Sequence, residues 1–214
     1  PNAYKTTFGT FAATSSNLAI YKCNSIGNSV KFTNNSDQYP LLNGIGGFVG
    51  ESSGLIVKES YVTGSFDNSK ASVAGIAGLA MGYLFVSDTI SNVIVNGGYG
   101  ASSSSFGFAT GTSMQFTHFI NASSSTQFGG WLFSSGVIVV DDCLNIGHGF
   151  DSLDGTLKVN NSYSINDLTS YGFSQIDVNE LLKEFFVVQL KFDENIWSFD
   201  GLDIFIKVFP ELNQ

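Results

Sequence analysis

At 214 residues the chain is long enough for one large or two small domains with a substantial core. Nine lysines, with no arginine, face 18 acidic residues, and the formal charge of -9 repels nucleic acid and polyanionic sugars alike. Only 13% of residues are charged, with Gly (24) and Phe (20) abundant and three prolines, so a self-repelling disordered chain is excluded.

No apolar run approaches the ~20 residues of a membrane span. The start at Pro1 predicts a processed or excerpted segment. Asn34, Asn121 and Asn160 each open an Asn-x-Ser triplet and are candidate glycosylation sites if the protein is extracellular.

Taken in chain order, the sequence repeats. An aromatic or apolar residue following glycine or a small residue opens a unit at Phe11, Phe48, Ile76, Phe108, Trp131 and Phe150. Each unit closes on an apolar, any, polar, small pattern: Ile20-Tyr21-Lys22-Cys23, Val57-Lys58-Glu59-Ser60, Val86-Ser87-Asp88-Thr89, Phe116-Thr117-His118-Phe119, Val140-Asp141-Asp142-Cys143 and Val159-Asn160-Asn161-Ser162. The steps between openings are 37, 28, 32, 23 and 19 residues, so a constant motif alternates with variable insertions. The runs are short, β-branched and aromatic, bounded by Gly, Ser and Asn, which reads as strands and turns. Gly97-Gly98-Tyr99-Gly100 falls in an insertion and reads as a flexible turn.

These features predict an all-β fold over residues 1–174: a single-stranded right-handed parallel β-helix of about six to seven coils. Phe11, Phe48, Ile76, Phe108, Trp131 and Phe150 would stack as an interior ladder, with Phe173 opening a seventh turn. Residues 175–214 change character. Asp177-Val178-Asn179-Glu180 carries a helix-start signature ahead of Leu181, Leu182, Phe185 and Phe186. The expectation is a C-terminal cap over the open end, with a helix at about 178–187 plus terminal strands, filled by Trp197, Phe205 and Phe209.

Gly47-Phe48-Val49-Gly50, a Ser/Gly turn, and Ile56-Val57-Lys58-Glu59-Ser60-Tyr61-Val62-Thr63-Gly64 resemble the GLUG repeat. The ending Phe192-Asp193-Glu194-Asn195-Ile196-Trp197 with Phe209-Pro210-Glu211-Leu212 is similar to the close that often follows such repeats. The second unit matches well; the fourth and fifth place Thr110 and Phe133 where the pattern has its second glycine. The resemblance implies an extracellular structural or adhesive module of a cell-surface or filament-forming protein, with no catalytic residues and no cofactor. Partners would be neighbouring domains or subunits at the N-terminal end, where no cap is evident, and glycans as a further class.

The candidate chemistry lies in the polar position of the repeat. Lys22, Glu59, Asp88, His118, Asp142 and Asn161 would lie one above another, about 4.8 Å apart. Glu59, Asp88, His118 and Asp142 are thereby a candidate ligand-binding stack, set against the plainer reading of a solvated polar edge. A carbohydrate-binding or carbohydrate-active protein using a groove beside that stack is the alternative function. Asp141-Asp142 with Gly147-His148-Gly149 superficially resembles the polygalacturonase active site, but His148 follows Asp142 within one unit instead of a coil later, and the arginine element of that family is missing. Cys23 and Cys143 occupy equivalent positions four coils apart, about 19 Å, too far for a disulfide. Two histidines and two distant cysteines give no metal-ligand spacing.

Overall fold

A computed structural model describes residues 7–32, 44–68, 72–96, 104–200 and 203–207. Asn34, the Gly97–Gly100 run and Phe209 lie outside these residues. The described chain is β throughout its first three quarters. β1 (Thr7–Gly9), β2 (Ala12–Tyr21), β3 (Asn24–Phe32), β4 (Gly44–Gly46), β5 (Val49–Asn68), β6 (Ser72–Asn96), β7 (Ser104–Asn121), β8 (Gln127–Asp141), β9 (Leu144–Asn145), β10 (His148–Asn160), β11 (Tyr163–Ser164) and β12 (Ser174–Gln175) form one twelve-stranded sheet. All of its pairings are parallel.

The expected right-handed parallel β-helix, with short strands grouped into six or seven coils and a helix-containing cap, is corrected by this arrangement. β5, β6, β7, β8 and β10 are long strands of 13 to 25 residues, and the sheet closes, barrel-like, around an inner core. The strands bend instead of breaking. Glu59, Asp88 and His118 sit inside β5, β6 and β7 with φ of 48°, 47° and 48°, so a left-handed residue turns each strand without ending its ladder.

Both arms of the bend contribute to the inner core. Leu55, Val57, Val62 and Phe66 of β5 are all buried in the inner core, together with Phe48, Phe106, Phe116 and Phe128. Rings there meet at 4.8 Å (Phe106–Phe116) and 5.5 Å (Phe116–Phe128), tilted or edge-on, as aromatic quadrupoles prefer. The interior ladder differs from expectation. Phe11, Phe48 and Ile76 are in register through Phe11 N–H to Phe48 O and Phe48 N–H to Ile76 O. A shift between Ala74 and Ala77 then moves the pairing, so that Phe106 enters the core and Phe108 pairs with Trp131 on a half-buried lane. Phe11 itself is 46% exposed. Phe150 and Phe173 do reach the core, each edge-on to Phe128.

The C-terminal segment is not a helical cap. Asp177 accepts from Asn179 N–H as an N-cap should, but it opens only the 3-10 turn Val178–Glu180. A five-residue π turn follows at Phe185–Gln189, closed by Leu190 N–H to Phe185 O. The segment finishes in the antiparallel pair β13 (Trp197–Asp200) and β14 (Asp203–Ile206). Its apolar side chains do not cover an end of the sheet. Leu181, Phe185, Phe186, Leu190, Phe192 and Trp197 pack along the flank, on the lane Ile90, Ile120 and Leu144, with Tyr61 and Tyr163 at its margins. The end of the core beyond β10 is closed by an earlier piece of chain: Leu168 and Phe173 are buried there, and the Tyr171 ring lies 5.2 Å from Phe150.

Candidate functional site

The boundary between inner core and flank is the column that the repeat predicts. Lys22, Glu59, Asp88, His118, Asp142 and Asn161 all adopt φ between 44° and 52°. Short polar side chains tolerate that conformation better than branched ones, which accounts for Asp and Asn in the column. The residue after each corner explains the small column beside it. Ser60, Thr89 and Ser162 donate their hydroxyls to the carbonyls of Lys58, Ser87 and Asn160, two residues back, and Cys23 and Cys143 direct their thiols at Tyr21 O and Asp141 O. The small residue thus adds a side-chain bond to a carbonyl at the turn, and those of Lys58 and Asn160 also accept the Lys22 and Asp142 N–H groups.

Sequence reasoning places the column but not its partners. Glu59 is 6% exposed and lies 3.4 Å from Lys22 Nζ and 3.7 Å from Lys58 Nζ. Asp88, 7% exposed, accepts from His118 Nδ1 at 3.1 Å and from the Trp197 indole N–H at 3.3 Å, both at Oδ1. The other ring nitrogen of His118 lies 4.0 Å from Asp142 Oδ2. Lys191 reaches Asp142 Oδ1 at 3.2 Å, and Asn161 bridges Asp142 Oδ1 and the Gln189 carbonyl. Phe192 stands edge-on to the imidazole at 5.2 Å. Apart from Lys58, which precedes Glu59 in its own strand, these partners come from the C-terminal segment or from a neighbouring corner. Carboxylates this buried need such partners, since a lone charge out of water is costly.

The column therefore brings Asp88, His118 and Asp142 together, while Glu59, on the corner next to Asp88, is held by lysines. Two carboxylates flank an imidazole, but Trp197, Phe192 and Lys191 stand over them where a substrate would approach. Asp141 lies on the other side of its strand from Asp142 and accepts from Asn160 Nδ2 at 2.6 Å, so the adjacent pair does not converge on one bond. His148 opens β10, exposed, six residues beyond Asp142. Among the described residues no group of three or more His, Cys, Asp or Glu side chains is placed to hold a metal ion.

Both cysteines are free thiols. Burial pushes the Cys143 thiol far above its ordinary range, with Asp141 and Asp142 adding to the shift, so it stays protonated and unreactive. The glycosylation candidates divide. Asn160 is exposed. Asn121 is fully buried, and its amide donates to Thr126 O and Asn145 Oδ1 while its carbonyl accepts from Thr126 and Ser105 hydroxyls. An amide with both ends engaged inside the core has no room for a sugar while the chain is folded. This network of buried Asn, Ser and Thr side chains gave no sequence signal beyond the triplet itself.

No known protein family, curated protein or solved structure matches the chain. Among the described residues no helix is long and apolar enough to cross a membrane.

Proposed function

We propose that the chain is a non-catalytic structural or adhesive module of an extracellular, cell-surface or filament-forming protein, working through protein-protein contacts at its N-terminal end. The observation that carries this reading is the engagement of Glu59, Asp88, His118 and Asp142 by the chain itself. Asp88, His118 and Asp142 hold the C-terminal segment on the flank, and Glu59 is paired with Lys22 and Lys58. The GLUG-like second unit and the exposed Asn160 triplet support an extracellular setting. Contacts are expected at β2, which among the described residues pairs on one side only, with β5.

The test is turnover. Wild type and the double variant Glu59→Gln/Asp88→Asn are assayed against a panel of neutral and acidic glycans. The expected result is no hydrolysis or lyase product from either protein, and a lower unfolding midpoint for the variant. Product formation that the double variant abolishes would replace this reading with a carbohydrate-active one.

A further inference from the structure

The last ladder bond of the large sheet runs from Ile176 N–H to Ser164 O. Beyond it, among the described residues, no backbone hydrogen bond joins the chain to that sheet. The segment bonds to itself instead: Glu180 N–H to Asp177 O, Leu190 N–H to Phe185 O, Phe192 N–H to Phe186 O, Trp197 N–H to Asp193 O, and the β13–β14 pair. Its rings do the same. Phe186 meets Phe185, Phe192 and Phe199 at 5.2, 5.7 and 5.5 Å, and Phe192 meets Trp197 at 4.5 Å. Among the described residues, the ring contacts that cross to the sheet are Tyr163 with Phe185 and His118 with Phe192. The inner core, for its part, takes none of its described side chains from beyond Phe173.

Side chains therefore hold the two bodies together. Leu181, Phe186 and Leu190 pack with Ile90, Ile120 and Leu144 of the lane, the Trp197 indole donates to Asp88, and Asn161 donates to the Gln189 carbonyl. The Lys191–Asp142 pair adds little, because the lysine is 67% exposed and solvent screens it. Releasing these ties breaks no ladder bond and removes nothing from the inner core, while the segment keeps its own turns and ring contacts. Cooperative units of a fold divide where so few bonds cross. We propose that the segment from Asp177 to the β13–β14 pair is a strap that leaves the flank and returns as one unit while the large sheet stays folded. Opening bares the apolar lane and the Asp88–His118–Asp142 group together, so the flank has a covered state and an uncovered one. The proposal goes beyond the non-catalytic reading and does not depend on it.

Native-state hydrogen exchange of the full chain, read amide by amide in urea below the unfolding transition, tests this. The amides of Leu190, Phe192 and Trp197 are expected to share one opening. It should be populated about tenfold or more above the opening that frees the ladder amides of β6 and β7, with a weaker urea dependence because less surface is exposed. Val86→Ala removes buried methyl groups from the inner core, and it is expected to speed the β6 and β7 amides about tenfold while the strap amides keep their wild-type rates. Ile138→Val makes the same comparison with a smaller step if Val86→Ala does not fold. One opening common to both sets of amides, with both sped by the core variant, overturns the proposal, because the molecule is then a single cooperative unit. Strap amides that exchange at unrelated rates without urea dependence also overturn it, because the segment then frays piece by piece. Each of these results leaves the non-catalytic reading standing, which only glycan turnover removes.

Discussion

The molecule has two hydrophobic bodies built on the same strands, and they are held by different means. The inner one, around Phe48, Phe106, Phe116 and Phe128, is enclosed by the sheet, so each strand contributes to it as soon as it pairs. The outer one, around Leu144, Phe186, Phe192 and Trp197, exists only when the last forty residues return to the flank. Between them runs the polar column, and its buried carboxylates are satisfied by residues at the corners and by the C-terminal segment. The inner body is a property of the repeat. The outer body is a property of the return.

This difference can be tested in order of effect. Phe116→Ala removes a fully buried ring from the inner body, and a loss of about 3–5 kcal/mol is expected in urea unfolding. Trp197→Phe keeps most of the outer packing but leaves Asp88 without its indole donor, and should cost about 1–3 kcal/mol. If the two changes cost the same, or Trp197→Phe costs more, the inner body is not the dominant one. Lys183→Ala breaks an ion pair with Glu194 in which both side chains are 52% exposed. A pair so exposed is screened by solvent, and the unfolding midpoint is expected to stay within error of wild type.

The sequence was legible where a fixed offset repeats. Lys22, Glu59, Asp88, His118, Asp142 and Asn161 share one position in the repeat, and all six share one backbone conformation. Phe108 and Trp131 misled because an aromatic after glycine looks the same whether it faces in or out. The shift at Ala74–Ala77 that decides the matter leaves no local mark. The helix expected at about 178–187 fails for a tertiary reason. Phe185, Phe186, Leu190 and Phe192 must all face the flank, and spacings of one, four and two residues do not lie on one stripe of a regular helix. The π turn widens the winding to accommodate them. No spacing could announce that Trp197 would meet Asp88, 109 residues away.

The burial of Asn121 has a consequence in time instead of space. Its triplet is open only while the chain is unfolded, because the folded core seals the amide against Thr126 and Asn145. In a compartment that attaches glycans to Asn-x-Ser, transfer at Asn121 and closure of the core are competing irreversible and reversible steps. A sugar added first would shut that chain out of the native state. Occupancy at Asn121 would then count the molecules that folded too slowly, while Asn160 stays open to modification before and after folding.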